Sequence, residues 1–147
     1  MSRILAYTSP ARGHLFPLTP ILLELSARGH EIVVRTLSAE VERARELGFE
    51  ASEIDSRIEQ VEHDDYAAKN SRQAVTRAAA VFTRRAEFDS PDLTNAIAEV
   101  RPDAVIVDFN CWGAMAAAEA WGGPWAAFCP YPTMLRSPDA PPFGPGF

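Results

Sequence analysis

Lysine is nearly absent from this sequence: Lys69 stands alone among 14 basic residues, the rest being arginine. Those arginines gather into no basic run and the formal net charge is -6, which argues against a general nucleic-acid binder. Cysteine is scarce too. Cys111 and Cys129 are too few for a disulfide framework or a zinc site, and both are expected to be reduced, partly buried thiols. No stretch approaches the roughly 18 apolar residues of a membrane span. The N-terminal residues lack the basic and apolar regions of a signal peptide, so a cytoplasmic location is expected. Nucleotide fingerprints are missing as well: Ser9-Pro10-Ala11-Arg12-Gly13-His14 fits neither G-x-G-x-x-G nor G-x-x-x-x-G-K-[ST]. It also offers no acidic cluster, which a receiver-type or flavodoxin-like signalling domain would need.

What is present is a balance of 47% hydrophobic and 23% charged residues over 147 positions, the composition of one globular domain with a substantial core. A strand over residues 4–8 breaks at 9–17 and hands over to a helix whose Leu18, Ile21, Leu22 and Leu25 share one face, closed by Arg28-Gly29-His30. A second strand follows over 31–36, then a short helix from Ser38 to about residue 47, stopped by Gly48, and a weaker strand over 49–54. Residues 55–69 show charge without period and are expected to form a surface loop. Two helices are expected next, over 71–86 and 90–100, the second opened by Ser90-Pro91, with Pro102-Asp103 as a turn. Residues 104–108 form the clearest buried strand, followed by a small-residue helix over 114–121 and a fifth strand over 124–128.

Strands alternating with helices imply an α/β, doubly wound, Rossmann-like parallel sheet, most simply in the order 3-2-1-4-5. Residues 1–129 are expected to form that domain. Six of the 12 prolines fall in residues 130–147, so this segment is expected to be a proline- and glycine-rich tail that packs over the domain or leads into further structure.

In such a sheet the first and fourth strands are neighbours whose outgoing connections diverge, opening a crevice at their carboxyl ends. His14 follows the first strand and Asp108 ends the fourth. The positive end of the helix dipole disfavours further positive charge on His14, while Asp108 is placed to accept from Nδ1, leaving Nε2 as a proton acceptor. The competing reading makes both residues simple helix caps. Gly13 either lets backbone approach a ligand, takes a positive φ, or serves loop geometry. Loops around the crevice also bring Phe16, Phe109, Asn110, Trp112, Tyr131 and Met134, and the long helix offers Phe82. These residues could line an apolar acceptor pocket, although aromatics are core residues more often than ligand contacts. His30 lies at the opposite end of the sheet, and His63 reads as a solvated loop residue.

Four stretches taken together are specific: Gly13-His14-x-x-Pro17 within residues 9–17, Arg28-Gly29-His30-Glu31-Ile32, Pro102-Asp103-x-x-x-x-Asp108, and Gly122-x-Pro124. In this order they resemble the N-terminal, acceptor-binding domain of the inverting GT-B glycosyltransferases that use nucleotide sugars, especially the bacterial antibiotic and macrolide type. The resemblance implies that His14 is the catalytic base and Asp108 its orienting carboxylate, with the acceptor a hydroxylated hydrophobic small molecule. It implies no metal and no cofactor. The nucleotide sugar is a co-substrate, held mostly by a C-terminal donor-binding domain that would be supplied in cis or in trans, since family members are well over twice this length. A non-catalytic small-molecule-binding module on the same fold is the alternative.

Overall fold

A computed structural model of the chain describes residues 1–131, so the expected tail lies outside the described residues from position 132 onward. Five strands, β1 (Arg3–Tyr7), β2 (Glu31–Thr36), β3 (Glu50–Glu53), β4 (Ala104–Asp108) and β5 (Trp125–Phe128), pair in parallel in the order β3-β2-β1-β4-β5. This is the expected 3-2-1-4-5 arrangement. Helices α1 (Arg12–Ala27) and α2 (Val41–Glu46) cover one face. Helices α3 (Ser56–Gln60), α4 (Ser71–Val100) and α5 (Trp112–Trp121) cover the other. The strand period of two sorts the core accordingly: Ile4 and Ala6 meet Leu15, Leu18 and Leu22 of α1, whereas Leu5, Tyr7, Val105 and Val107 meet Leu93, Ile97 and Ala118. Among the described residues no helix is long and apolar enough to cross a membrane.

Three local expectations are corrected. Helix α1 begins at Arg12, so most of the supposed break at residues 9–17 is helical, with Pro17 and Pro20 inside it. Each proline removes a backbone donor, and the helix persists because His14, Leu15, Leu18 and Leu22 bury one continuous face, from which Ile21 is excluded. The two helices expected over 71–86 and 90–100 are one, α4, running through Pro91. Tertiary contact overrides the break there, since Val81, Arg85, Asp89, Leu93 and Ile97 recur on the buried side. Finally, residues 55–69 are not plain loop: Asp55 caps α3, accepting from the Arg57 backbone N–H at 2.9 Å, Ile58 is buried, and a 3₁₀ turn spans Asp65–Ala67.

Polar groups fix α4 over the carboxyl ends of the central strands. Asp92 accepts from the Tyr7 hydroxyl at 2.8 Å, from the Asp55 backbone at 3.2 Å and from Arg35 at 3.2 Å. Burial, and then the neighbouring Asp92 carboxylate, raise the Tyr7 phenol far above its ordinary range. One turn earlier, the buried Asp89 is approached by the Gly113 and Ala114 backbone N–H groups at the start of α5, and burial still pushes its carboxyl up to about 7. Such a group favours folding fully below the unfolded carboxyl range near 4, and the contribution is lost as pH rises through about 7. The neighbouring charges are Asp92, which raises the Asp89 pKa further, and Arg85, which lowers it. Asp89→Asn is therefore expected to be more favourable relative to the parent at about pH 8 than at about pH 5, by up to about 3 kcal/mol. Urea unfolding at the two values checks this, and equal differences at both would place the Asp89 pKa in the ordinary range.

Candidate active site

The site forms where β1 and β4 end. Along β4, Ile106 packs on the α1 side of the sheet and Val105 and Val107 on the other, so the period of two turns Asp108 toward the start of α1. On the facing element His14 is the third residue of α1, and its buried side chain lies against that carboxylate. Asp108 Oδ2 stands 2.7 Å from His14 Nδ1. It also accepts from the Ser9 backbone at 3.1 Å and the Ser9 hydroxyl at 2.8 Å, while Oδ1 accepts from the Asn110 backbone at 2.9 Å. The carboxylate is fully buried, and these donors satisfy its charge. The close His14 approach is out of line with the ring N–H, so it has ion-pair distance without an aligned hydrogen bond.

Nε2 points to the other side of the ring, where a second set of groups converges. The Tyr131 hydroxyl is 2.5 Å from Nε2, and the Tyr131 ring meets the imidazole edge-on with centroids 5.3 Å apart. The Asn110 side-chain amide donates to that hydroxyl at 2.9 Å, with its nitrogen 3.3 Å from Nε2. Burial raises the Tyr131 pKa above the usual phenol range, and the Asn110 hydrogen bond pulls it the opposite way. A proton on Nδ1, facing Asp108, leaves Nε2 able to accept from the phenol, and this tautomer closes the network.

The remaining expected residues are distributed less simply. Phe82 of α4 packs edge-on against Trp112, with centroids 5.4 Å apart, and Phe109 is half exposed beside Asn110. Phe16 is not brought to His14. Two helical steps of about 100° turn it away, and its ring lies under the Arg43 guanidinium of α2 at 4.8 Å. Gly13 takes no positive φ, and a Cβ added there would meet nothing, so its contribution is open space over the first turn of α1. Met134 lies outside the described residues. His30 sits at the amino end of β2, away from the crevice, as expected. Cys111 is buried, and burial holds its thiol well above the ordinary range, whereas Cys129 is exposed rather than partly buried.

Two contributors escaped the sequence reading. Ser9, weighed there only as part of a phosphate loop, gives two hydrogen bonds to Asp108. Its position directly after β1, level with the end of β4, was the available signal. His63 is not simply solvated: its ring packs edge-on against Phe82 at 5.3 Å, extending the aromatic row of Phe82 and Trp112. No local pattern pointed to that contact.

No family model matches the sequence. Over 34 residues, 23% of the chain, it is 56% identical to the elloramycin glycosyltransferase ElmGT of Streptomyces olivaceus, of which this segment is 9%. Solved structures match far more of it. The glycosyltransferase of kitacinnamycin is 26% identical with a TM-score of 0.70, covering 90% of this chain and 31% of that one. The calicheamicin glycosyltransferase CalG4 is 22% identical with a TM-score of 0.73, covering 92% of this chain and 34% of its own. The spinosyn rhamnosyltransferase SpnG, solved with thymidine diphosphate and with spinosyn aglycone, is 19% identical with a TM-score of 0.70, covering 96% and 37%. These neighbours are bacterial antibiotic glycosyltransferases of the GT-B fold, and the chain has the Rossmann-like architecture of one half of that fold. It spans about a third of the length of the solved structures it matches.

Proposed function

We propose that the chain is the acceptor-binding half of an inverting glycosyltransferase, moving a sugar from a nucleotide sugar to a hydroxyl of a hydrophobic small molecule, with His14 as general base. The observation that carries this reading is the pair of contacts on one imidazole: a buried carboxylate 2.7 Å from Nδ1 and a hydroxyl 2.5 Å from Nε2. A base needs a proton donor within hydrogen-bond reach on one nitrogen and a stabilising partner on the other, and both are present. The shared fold supports sugar transfer as the chemistry, and the aglycone and thymidine diphosphate bound to SpnG illustrate the two substrate classes.

The acceptor hydroxyl donates its hydrogen bond to Nε2. As its oxygen bonds to the anomeric carbon, the bond from that carbon to the nucleotide phosphate breaks on the opposite face, inverting the configuration, and the proton passes to Nε2. Asp108 stabilises the imidazolium as it forms. The out-of-line approach at Nδ1 suits a group that aligns only once acceptor is bound. Fixing acceptor oxygen against donor carbon removes the cost of a bimolecular encounter at the chemical step.

The test supplies the chain with a donor-binding half, in cis or in trans, a nucleotide sugar and a phenolic acceptor, and follows product with its anomeric configuration. A product of inverted configuration is expected. Tight acceptor binding with no transfer would favour the non-catalytic module, and retained configuration would remove the single-displacement mechanism.

A further inference from the structure

The place an acceptor oxygen takes on His14 is already occupied by an oxygen of the protein. Tyr131 Oη donates to Nε2 at 2.5 Å and accepts from the Asn110 amide at 2.9 Å, so this phenol is hydrogen-bonded both to a base and to a donor. The amide orientation follows from its surroundings. With the Nδ1 proton toward Asp108, Nε2 is bare, and the Asn110 atom 3.3 Å from it is best assigned as the nitrogen. Asn110 is also placed by the same carboxylate as the base, since its backbone N–H donates to Asp108 Oδ1 at 2.9 Å. Amide and imidazole are thus held at one oxygen by one anchor.

We propose that Asn110 is a further catalytic group, its amide donating to the acceptor oxygen while His14 takes the proton, and that the Tyr131 hydroxyl holds this position until an aryl hydroxyl displaces it. The proposal rests on the reading of His14 as base. Negative charge develops on the acceptor oxygen as its proton leaves, and a fixed N–H aimed at that oxygen stabilises the transition state more than the ground state. The Asn110 hydrogen bond already favours the ionised form of Tyr131. An aryl acceptor reproduces the geometry of the displaced ring, which is half exposed and therefore able to leave.

The experiment compares transfer to 4-methylphenol, phenol and 4-nitrophenol by the chain with its donor-binding half, in parent, Asn110→Ala and Tyr131→Phe forms. Asn110→Ala is expected to lower kcat about 10²-fold for 4-methylphenol and much less for 4-nitrophenol, whose oxygen needs little help, with KM changed only a few-fold. Tyr131→Phe is expected to lower KM several-fold for all three, the competing hydroxyl being gone. Equal kcat losses across the series, or losses confined to KM, would reduce Asn110 to a positioning residue and overturn the proposal.

A measurement without donor keeps the outcome independent of turnover. The absorbance of 4-nitrophenol near about 400 nm, followed against pH on the Tyr131→Phe chain, is expected to show bound probe ionising at lower pH than on the same chain carrying Asn110→Ala. Identical ionisation, or no binding, overturns the proposal. Retained turnover in His14→Ala would strike the base assignment, which the ionisation measurement leaves aside.

Discussion

Replacing His14 with alanine is expected to reduce transfer by about 10² to 10⁴-fold while acceptor affinity changes only a few-fold. The asymmetry follows from when the contact matters. Before reaction Nε2 contributes one hydrogen bond to a hydroxyl, a modest share of the binding of a hydrophobic acceptor. During reaction it takes a proton, and without it that proton has no nearby acceptor of suitable basicity. The fold is expected to tolerate the change, because Asp108 keeps Ser9 and Asn110 as hydrogen-bond donors when the imidazole is gone. Asp108→Asn should behave in the opposite sense. One amide oxygen cannot serve the donors arranged around two carboxylate oxygens, and the new NH₂ would face an N–H, so a stability loss of about 2 to 4 kcal/mol is expected. If Asp108 only orients the ring, its rate loss stays below that of His14→Ala. Steady-state kinetics, acceptor titration and urea unfolding on both variants check these expectations, and a His14→Ala variant that turns over at the parental rate would end the base assignment.

The parts of this site that could be read in advance are those dictated by strand burial and topology. Residues 104–107 and 32–34 are unbroken apolar runs because both faces of a central parallel strand are covered, and their alternation with helices leaves few sheet orders. Once β1 and β4 are neighbours, a histidine after one and an aspartate ending the other are brought together by the sheet itself. What was not legible depends on contacts distant in sequence. Pro91 reads as a helix opening until α4 is seen packed along the sheet and against α5. Phe16 reads as a neighbour of His14 until α1 is extended back to Arg12, when helical rotation carries it toward Arg43. The occupation of Nε2 by Tyr131 joins two residues 117 positions apart, and no local pattern in the sequence pairs that hydroxyl with that nitrogen.

The same reasoning from space yields a second large stability effect, at Gly113. This glycine is the second residue of α5, where that helix crosses α4 beside Asp89. A Cβ there would overlap the Asp89 carboxylate and the Ala86 carbonyl oxygen, and would lie 2.8 Å from Ala86 Cα. The Ala86 atoms are helix backbone and cannot rotate aside, so α4 and α5 would have to separate along a seam that Leu93, Ala96, Ala114 and Ala118 keep closed within one core. Alanine recovers about 1 kcal/mol of helix propensity over glycine. Against this stands overpacking of a rigid seam, typically 1 to 3 kcal/mol and here at or above the top of that range. Gly113→Ala is therefore expected to destabilise by about 2 to 3 kcal/mol, and Gly113→Val by more. Gly13→Ala supplies the contrast. Its Cβ meets nothing and its φ is not positive, so it is expected to leave stability unchanged or raise it by up to about 1 kcal/mol. Urea unfolding of the two alanine variants separates packing from propensity, because a propensity effect would stabilise both. The consequence for the site follows from α5 beginning two residues after Asn110. A seam forced open at Gly113 shifts the turn that presents the Asn110 amide to Nε2, so Gly113→Ala should also weaken transfer, whereas loss of transfer in the stable Gly13→Ala variant would mark the open space over α1 as part of the acceptor site.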